Sequence, residues 1–232
     1  MTVTDQLNEL LESVNAFSSS KGVEAITGID AKSELFLNWI PYLNNAKTGV
    51  ADELLDAAVA SLREAAACAG LGLVRAAIFA MRTEIDLILS WLYFKDHAVE
   101  WEYVNSSGDG FKLKKEILEY LVRYYSNFNA RHGILKEIKK RTETDPYRLL
   151  SAHIHSQSLM TLPLVNSLKE AVGKPEVTQD LIALSGEVDE YISDILFSAF
   201  ASGWSQIPPA LTNSLESRFK TQPQKQTFYT PK

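Results

Sequence analysis

Arg148 and His155 stand seven residues apart in the nonapeptide Tyr147-Arg148-Leu149-Leu150-Ser151-Ala152-His153-Ile154-His155. At about 100° per residue, a helix returns after seven positions to within roughly 20° of its starting azimuth, so the two side chains share a face. His153 then points roughly 140° away from Arg148. A fixed guanidinium beside an imidazole suits RNA cleavage by transesterification. Imidazole exchanges protons near neutral pH and moves the 2′-hydroxyl proton, while the guanidinium fork holds phosphate oxygens. Between the pair lie Ser151 and Ala152, small enough to leave both long side chains accessible, and the Ser151 hydroxyl can orient a phosphate. The catalytic candidates are Arg148, His155 and Ser151, with His153 as the alternative histidine.

The wording Tyr-Arg-x-Leu-Ser-x-x-Ile-His resembles the signature of the HEPN superfamily, in which an arginine is followed after four to six residues by a histidine. It is most similar to the six-residue form, which makes His155 the motif histidine. The resemblance implies an all-α, HEPN-like helical bundle and a metal-independent endoribonuclease without a cofactor, a bacterial toxin or antiphage defence effector. The start Met1-Thr2-Val3-Thr4-Asp5 lacks the basic and apolar regions of a signal peptide, so a cytoplasmic protein is expected. The resemblance also implies a homodimer in which two Arg148–His155 pairs form one cleft, and products ending in a 2′,3′-cyclic phosphate and a 5′-hydroxyl. An antitoxin or a defence-complex protein is the expected further partner. Where such motifs often carry a polar residue after the arginine, this chain has Leu149. That departure keeps a second reading open, a non-catalytic helical interaction module. In similar chains an arginine or acid of the first long core helix borders the cleft, and Arg82, Glu84 and Asp86 are placed for it. An Arg82–Asp86 ion pair at four-residue spacing is the structural alternative.

The elements that must position these residues read as helical almost throughout, with no alternating β-branched run. Asp145 and Pro146 suit the N-cap and first position of a helix over 145–159. Upstream, Thr4 is expected to cap a helix running to Phe17, and Ser18-Ser19-Ser20-Lys21-Gly22 to break it. Further helices are expected over 32–43, 51–69, 73–94, 111–125 and 130–141, and a last one over 179–201 capped by Thr178. The apolar stretch 71–94 contains Arg75, Arg82, Glu84 and Asp86, so it reads as a core helix rather than a membrane span. The prolines at 208, 209, 223 and 231 predict a flexible, extended tail. The expected organisation is an N-terminal helical appendage over 1–50, a bundle over 51–205 and a tail over 206–232.

The 232 residues carry a net charge of −6, with 46% hydrophobic and 22% charged residues, which suits a soluble folded domain. One cysteine, Cys68, excludes an internal disulfide framework and a cysteine zinc site. His97 and Glu100, at the three-residue spacing of a helical metal pair, supply two ligands without a third, so a cap or surface contact is expected there. Charge is uneven: residues 111–141 hold nine basic against three acidic side chains. That segment predicts an RNA footprint, with Lys136, Lys139, Lys140, Arg141, Arg131 and Tyr124 as candidate RNA-binding residues. Helical spacing places most of the interleaved aromatics toward a core and leaves the lysines on a solvated face.

Overall fold

The computed structural model describes residues 2–230, and among these the chain is helical, with no strand. It divides into two compact units, each assembled from three separated stretches. The first comprises residues up to Glu34, then Val59–Glu84 and Asp145–Val188. The second comprises Leu35–Ala58, Ile85–Thr144 and Asp189 onward. This division does not follow the expected boundaries near 50 and 205, and the residues up to Glu34 group with stretches of the expected bundle.

In the first unit α1 (Val3–Phe17) is capped by Thr2, two residues before the expected Thr4, and Asp5 reciprocates by accepting from the Thr2 N–H. The serine run expected to break the helix instead forms one π-helical turn, Ser18–Gly22, leading directly into α2 (Val23–Lys32). Ser20 Oγ donates to the Phe17 carbonyl at 3.0 Å, so the hydroxyl bonds back onto the preceding turn. Gly28 lets α2 lie hard against Ile182, since a Cβ there would come within 2.4 Å of the isoleucine Cδ1. The unit's core draws on Phe17, Ile29, Leu62, Met81, Leu150 and Leu181. It also contains most of α4 (Glu53–Gly70), the first half of α5 (Val74–Phe94), α9 (Pro146–Ile154) and the start of α10 (Thr178–Phe200).

The second unit contains most of α3 (Glu34–Asn45), with α6 (Ala98–Ser107), α7 (Lys114–Tyr124), α8 (Phe128–Glu137), α11 (Pro209–Glu216) and α12 (Gln222–Tyr229). Aromatic rings fill its core, with Trp39 and Phe197 packed edge to face at 4.9 Å. Asp194, fully buried, accepts from both Arg141 and Arg218, and Glu190 lies 3.5 Å and 3.1 Å from the same two guanidiniums. The expected extended tail is corrected by α11 and α12, whose Leu211, Leu215 and Phe228 are completely buried. Pro209 and Pro223 sit in the first turns of these helices, where a missing N–H breaks no intrahelical bond. No helix among the described residues is long and apolar enough to cross a membrane.

Candidate active site

Helix α9 begins at Pro146, with Asp145 at the N-cap, and buries Pro146 and Leu150 against the first unit. It ends sooner than the expected residue 159. The His155 N–H still bonds the Ser151 carbonyl at 2.9 Å, but Ser156 turns left-handed with φ +50°. Gln157 N–H then reaches the Ala152 carbonyl at 3.1 Å, which makes the end a Schellman motif with serine in the place glycine usually takes. His155 thus occupies the C-cap, and seven residues of helical rise place its Cα about 10 Å along the axis from that of Arg148.

Two arginines of α5 hold this helix. Arg82 Nε donates to Ser151 Oγ at 2.9 Å, its Nη2 donates to the Tyr147 hydroxyl, and its guanidinium lies 3.9 Å from the Tyr147 ring centroid. Burial pulls the Arg82 pKa down and Tyr147 pulls it back up, but the group remains a cation. Seven residues, or about two turns, earlier, Arg75 donates to the Thr161 carbonyl at 3.0 Å, to the Ile154 carbonyl at 3.4 Å and to Ser156 Oγ at 3.2 Å. A cation at the C-terminal carbonyls satisfies orphan acceptors and opposes the negative end of the helix dipole. Arg75 therefore fixes the turn that ends α9 directly after His155.

The four catalytic candidates separate into two kinds. Arg148 and His155 are exposed, and among the described residues neither side chain makes a hydrogen bond or ion pair. Ser151 and His153 are half-buried and serve the fold. The Ser151 hydroxyl accepts from Arg82, which leaves its own proton available to a neighbour. Burial, and then Arg75 nearby, push the His153 imidazole below its ordinary pKa, so it is held neutral. Sequence spacing identified the exposed pair but missed the part played by Tyr147 and Arg75. The available signals were the aromatic preceding Arg148 and the two basic residues, seven apart, on the apolar face of α5.

The candidate RNA-binding residues belong to the second unit and also separate by burial. Lys136, Lys140 and Tyr124 are exposed, and Lys140 Nζ lies 3.3 Å from Ser217 Oγ. Lys139 folds back, donating to the carbonyls of Arg141 at 2.8 Å and Thr142 at 2.6 Å. Arg131 and Arg141 are corrected. Arg131 is 3% exposed and donates to the Phe228 carbonyl and Ser202 Oγ, and Arg141 is 5% exposed within the carboxylate cluster. A guanidinium with internal partners and no access to solvent offers nothing to a phosphate. Among the described residues no group of three or more metal-binding side chains forms. No protein-family model, characterised protein or solved structure matches this chain.

Proposed function

We propose that the chain is a metal-independent endoribonuclease of HEPN type, a toxin or antiphage effector. The observation that carries this reading is that Arg148 and His155 alone on α9 are charged or titratable, exposed and uncommitted, on a helix clamped by Arg75 and Arg82. In the proposed reaction His155 takes the proton from a ribose 2′-hydroxyl as its oxygen attacks the adjacent phosphorus. Arg148 stabilises the pentacoordinate phosphorane, and the 5′-oxygen leaves with a proton from a second acid. One Arg–His pair supplies only one proton carrier, so the second acid is His155 of another copy of the chain. Products carry a 2′,3′-cyclic phosphate and a 5′-hydroxyl.

An exposed apolar run beyond α9 fits that homodimeric reading. Leu159, Met160 and Leu164 are 82%, 91% and 77% exposed, and Leu162, Val165 and Leu168 add to the run. Contiguous apolar surface of this kind marks interaction sites. The same run, with Leu149 exposed beside Arg148, favours the second reading, a non-catalytic module that docks an antitoxin or defence-complex protein. Incubation with tRNA and total RNA separates the two. The enzyme reading expects cleavage by the wild type and none by His155→Ala at equal helical content. The module reading expects no cleavage by either.

A further inference from the structure

The second unit contains an open groove of about 370 Å³ that shares no residue with α9. Ligand sites span about 300–1,000 Å³, and this one is sized for a single small planar ligand with a polar appendage. Its floor is the Tyr93–His97 pair, stacked with parallel rings 4.0 Å apart. Tyr120 stands edge-on to both, at 5.0 Å and 4.9 Å, and Tyr124, 65% exposed, continues the wall at 5.1 Å from Tyr120.

The hydroxyls of the inner rings are already engaged. Tyr93 donates to Glu100 at 3.0 Å, and Tyr120 donates to Asp96 at 3.0 Å. His97 Nδ1 lies 2.7 Å from the Tyr93 carbonyl, so it donates there and leaves Nε2 as an acceptor. The inner rings are thus fixed in place, and Tyr93 is buried beneath His97 and Lys112, so the ring left accessible to a flat π-system is that of exposed Tyr124 beside half-buried Tyr120.

Charge narrows the ligand further. Lys112 already lies 5.4 Å from the Tyr93 ring centroid and pairs with Glu100, and Arg123 lies 5.8 Å from that of Tyr124. Cations in these positions repel a cationic guest. Among the described residues Arg123 makes no ion pair, so its charge remains for an anion. Glu116 and Glu119 also line the groove. Glu116 uses one oxygen on the Leu113 N–H, while Glu119 is exposed, with Lys115 at 3.8 Å. An available carboxylate accepts best from two adjacent parallel donors. Among the nucleobases only guanine presents that pair, N1–H and the 2-amino group, on its Watson–Crick edge.

We infer that this groove binds a guanine nucleotide, its base stacked on Tyr124 beside Tyr120, its Watson–Crick edge at Glu119 and its phosphate at Arg123. The nucleotide is either free or an unpaired guanosine in an RNA strand. The inference does not rest on the ribonuclease reading.

Calorimetric titration of the full chain with GMP, AMP, guanosine and 2′-O-methyl hexanucleotides, with and without guanine, tests it; the methylated strands cannot undergo transesterification. GMP is expected to bind at least about tenfold tighter than AMP, and Tyr124→Ala to weaken GMP by about tenfold or more. Tyr124 is exposed, so its loss leaves the fold intact. Arg123→Ala should bring GMP down to guanosine, and Glu119→Gln should erase the preference over AMP. A guanine-containing strand binding much tighter than GMP identifies RNA as the source, and GMP binding as tightly as the strand identifies the free nucleotide. Absence of binding by GMP and by the strand at millimolar ligand overturns the proposal. So does unchanged affinity in Tyr124→Ala, or an unchanged base preference in Glu119→Gln. None of these results alters the expectation for cleavage at Arg148 and His155.

Discussion

Arg141 and Arg148 lie seven residues apart in the chain and use the same guanidinium in opposite ways. Arg141, in the second unit, is buried, shares Asp194 with Arg218 and has Glu190 at 3.5 Å. Arg148, in the first unit, is exposed and makes no side-chain hydrogen bond or ion pair among the described residues. A buried guanidinium is stable only where carboxylates replace its lost hydration, and those carboxylates consume its capacity to bind anything else. An exposed guanidinium has given up little hydration and retains that capacity. Within each unit, then, availability of the charge rather than its presence separates architecture from a candidate site.

The largest expected effect lies on the architectural side. Asp194→Asn leaves Arg141 and Arg218 buried with one carboxylate between them, and should cost about 3–5 kcal/mol in denaturant unfolding. A loss below about 1 kcal/mol would mean that the cluster is hydrated and the contrast drawn above does not hold. Next in size is Arg82→Ala, which removes the ties to Ser151 and Tyr147. Hydrogen bonds to charged groups contribute about 1.5–3 kcal/mol, so a stability loss of that order is expected, together with weaker cleavage. Arg82→Lys, which keeps the charge without the fork, should recover only part of either. Equal stability of Arg82→Ala and wild type would show that the Arg82 bonds to Ser151 and Tyr147 are not needed to hold α9.

A smaller effect belongs to His153. Its folded-state pKa is depressed, by burial first and by Arg75 second, so the unfolded chain binds the proton more readily. Stability carried by the neutral imidazole is therefore complete above about pH 6.5 and is lost as pH falls below that value. The melting temperature of His153→Gln should decline less steeply than that of the wild type on acidification below about pH 6.5. Parallel curves would place the acid sensitivity elsewhere.

Much of the fold was legible because the long helices carry apolar stripes and turn residues punctuate them. α5, α9 and α10 were found this way, and so were the spacing of Arg148 with His155 and the start of α9 at Pro146, although Asp145 at the N-cap position makes no side-chain capping hydrogen bond. Helix α6 was missed because only Val104 on it is buried, so it has no stripe for a periodicity to reveal. Pro209 and Pro223 misled because proline in a first turn reads in sequence much like proline in a loop. The left-handed Ser156 lacked the glycine that normally announces such a turn. The misassigned arginines have a different cause. Arg141 meets Asp194 across 53 residues, and Arg131 meets the Phe228 carbonyl across 97. Local composition sees the basic charge and not the distant group that neutralises or engages it.

The central claim is that Arg148 and His155 are free to do chemistry because neither is needed by the fold. The most direct measurement follows RNA cleavage and end-group chemistry in wild type, Arg148→Ala and His155→Ala, with unfolding recorded on the same preparations. Each substitution should shift stability by no more than about 0.5 kcal/mol, as expected at exposed positions. Each should also slow cleavage by about 10²–10⁴-fold, with 2′,3′-cyclic phosphate ends in the wild-type products. Cleavage by His155→Ala at the wild-type rate, or no cleavage of tRNA or total RNA by the wild type, would contradict the account.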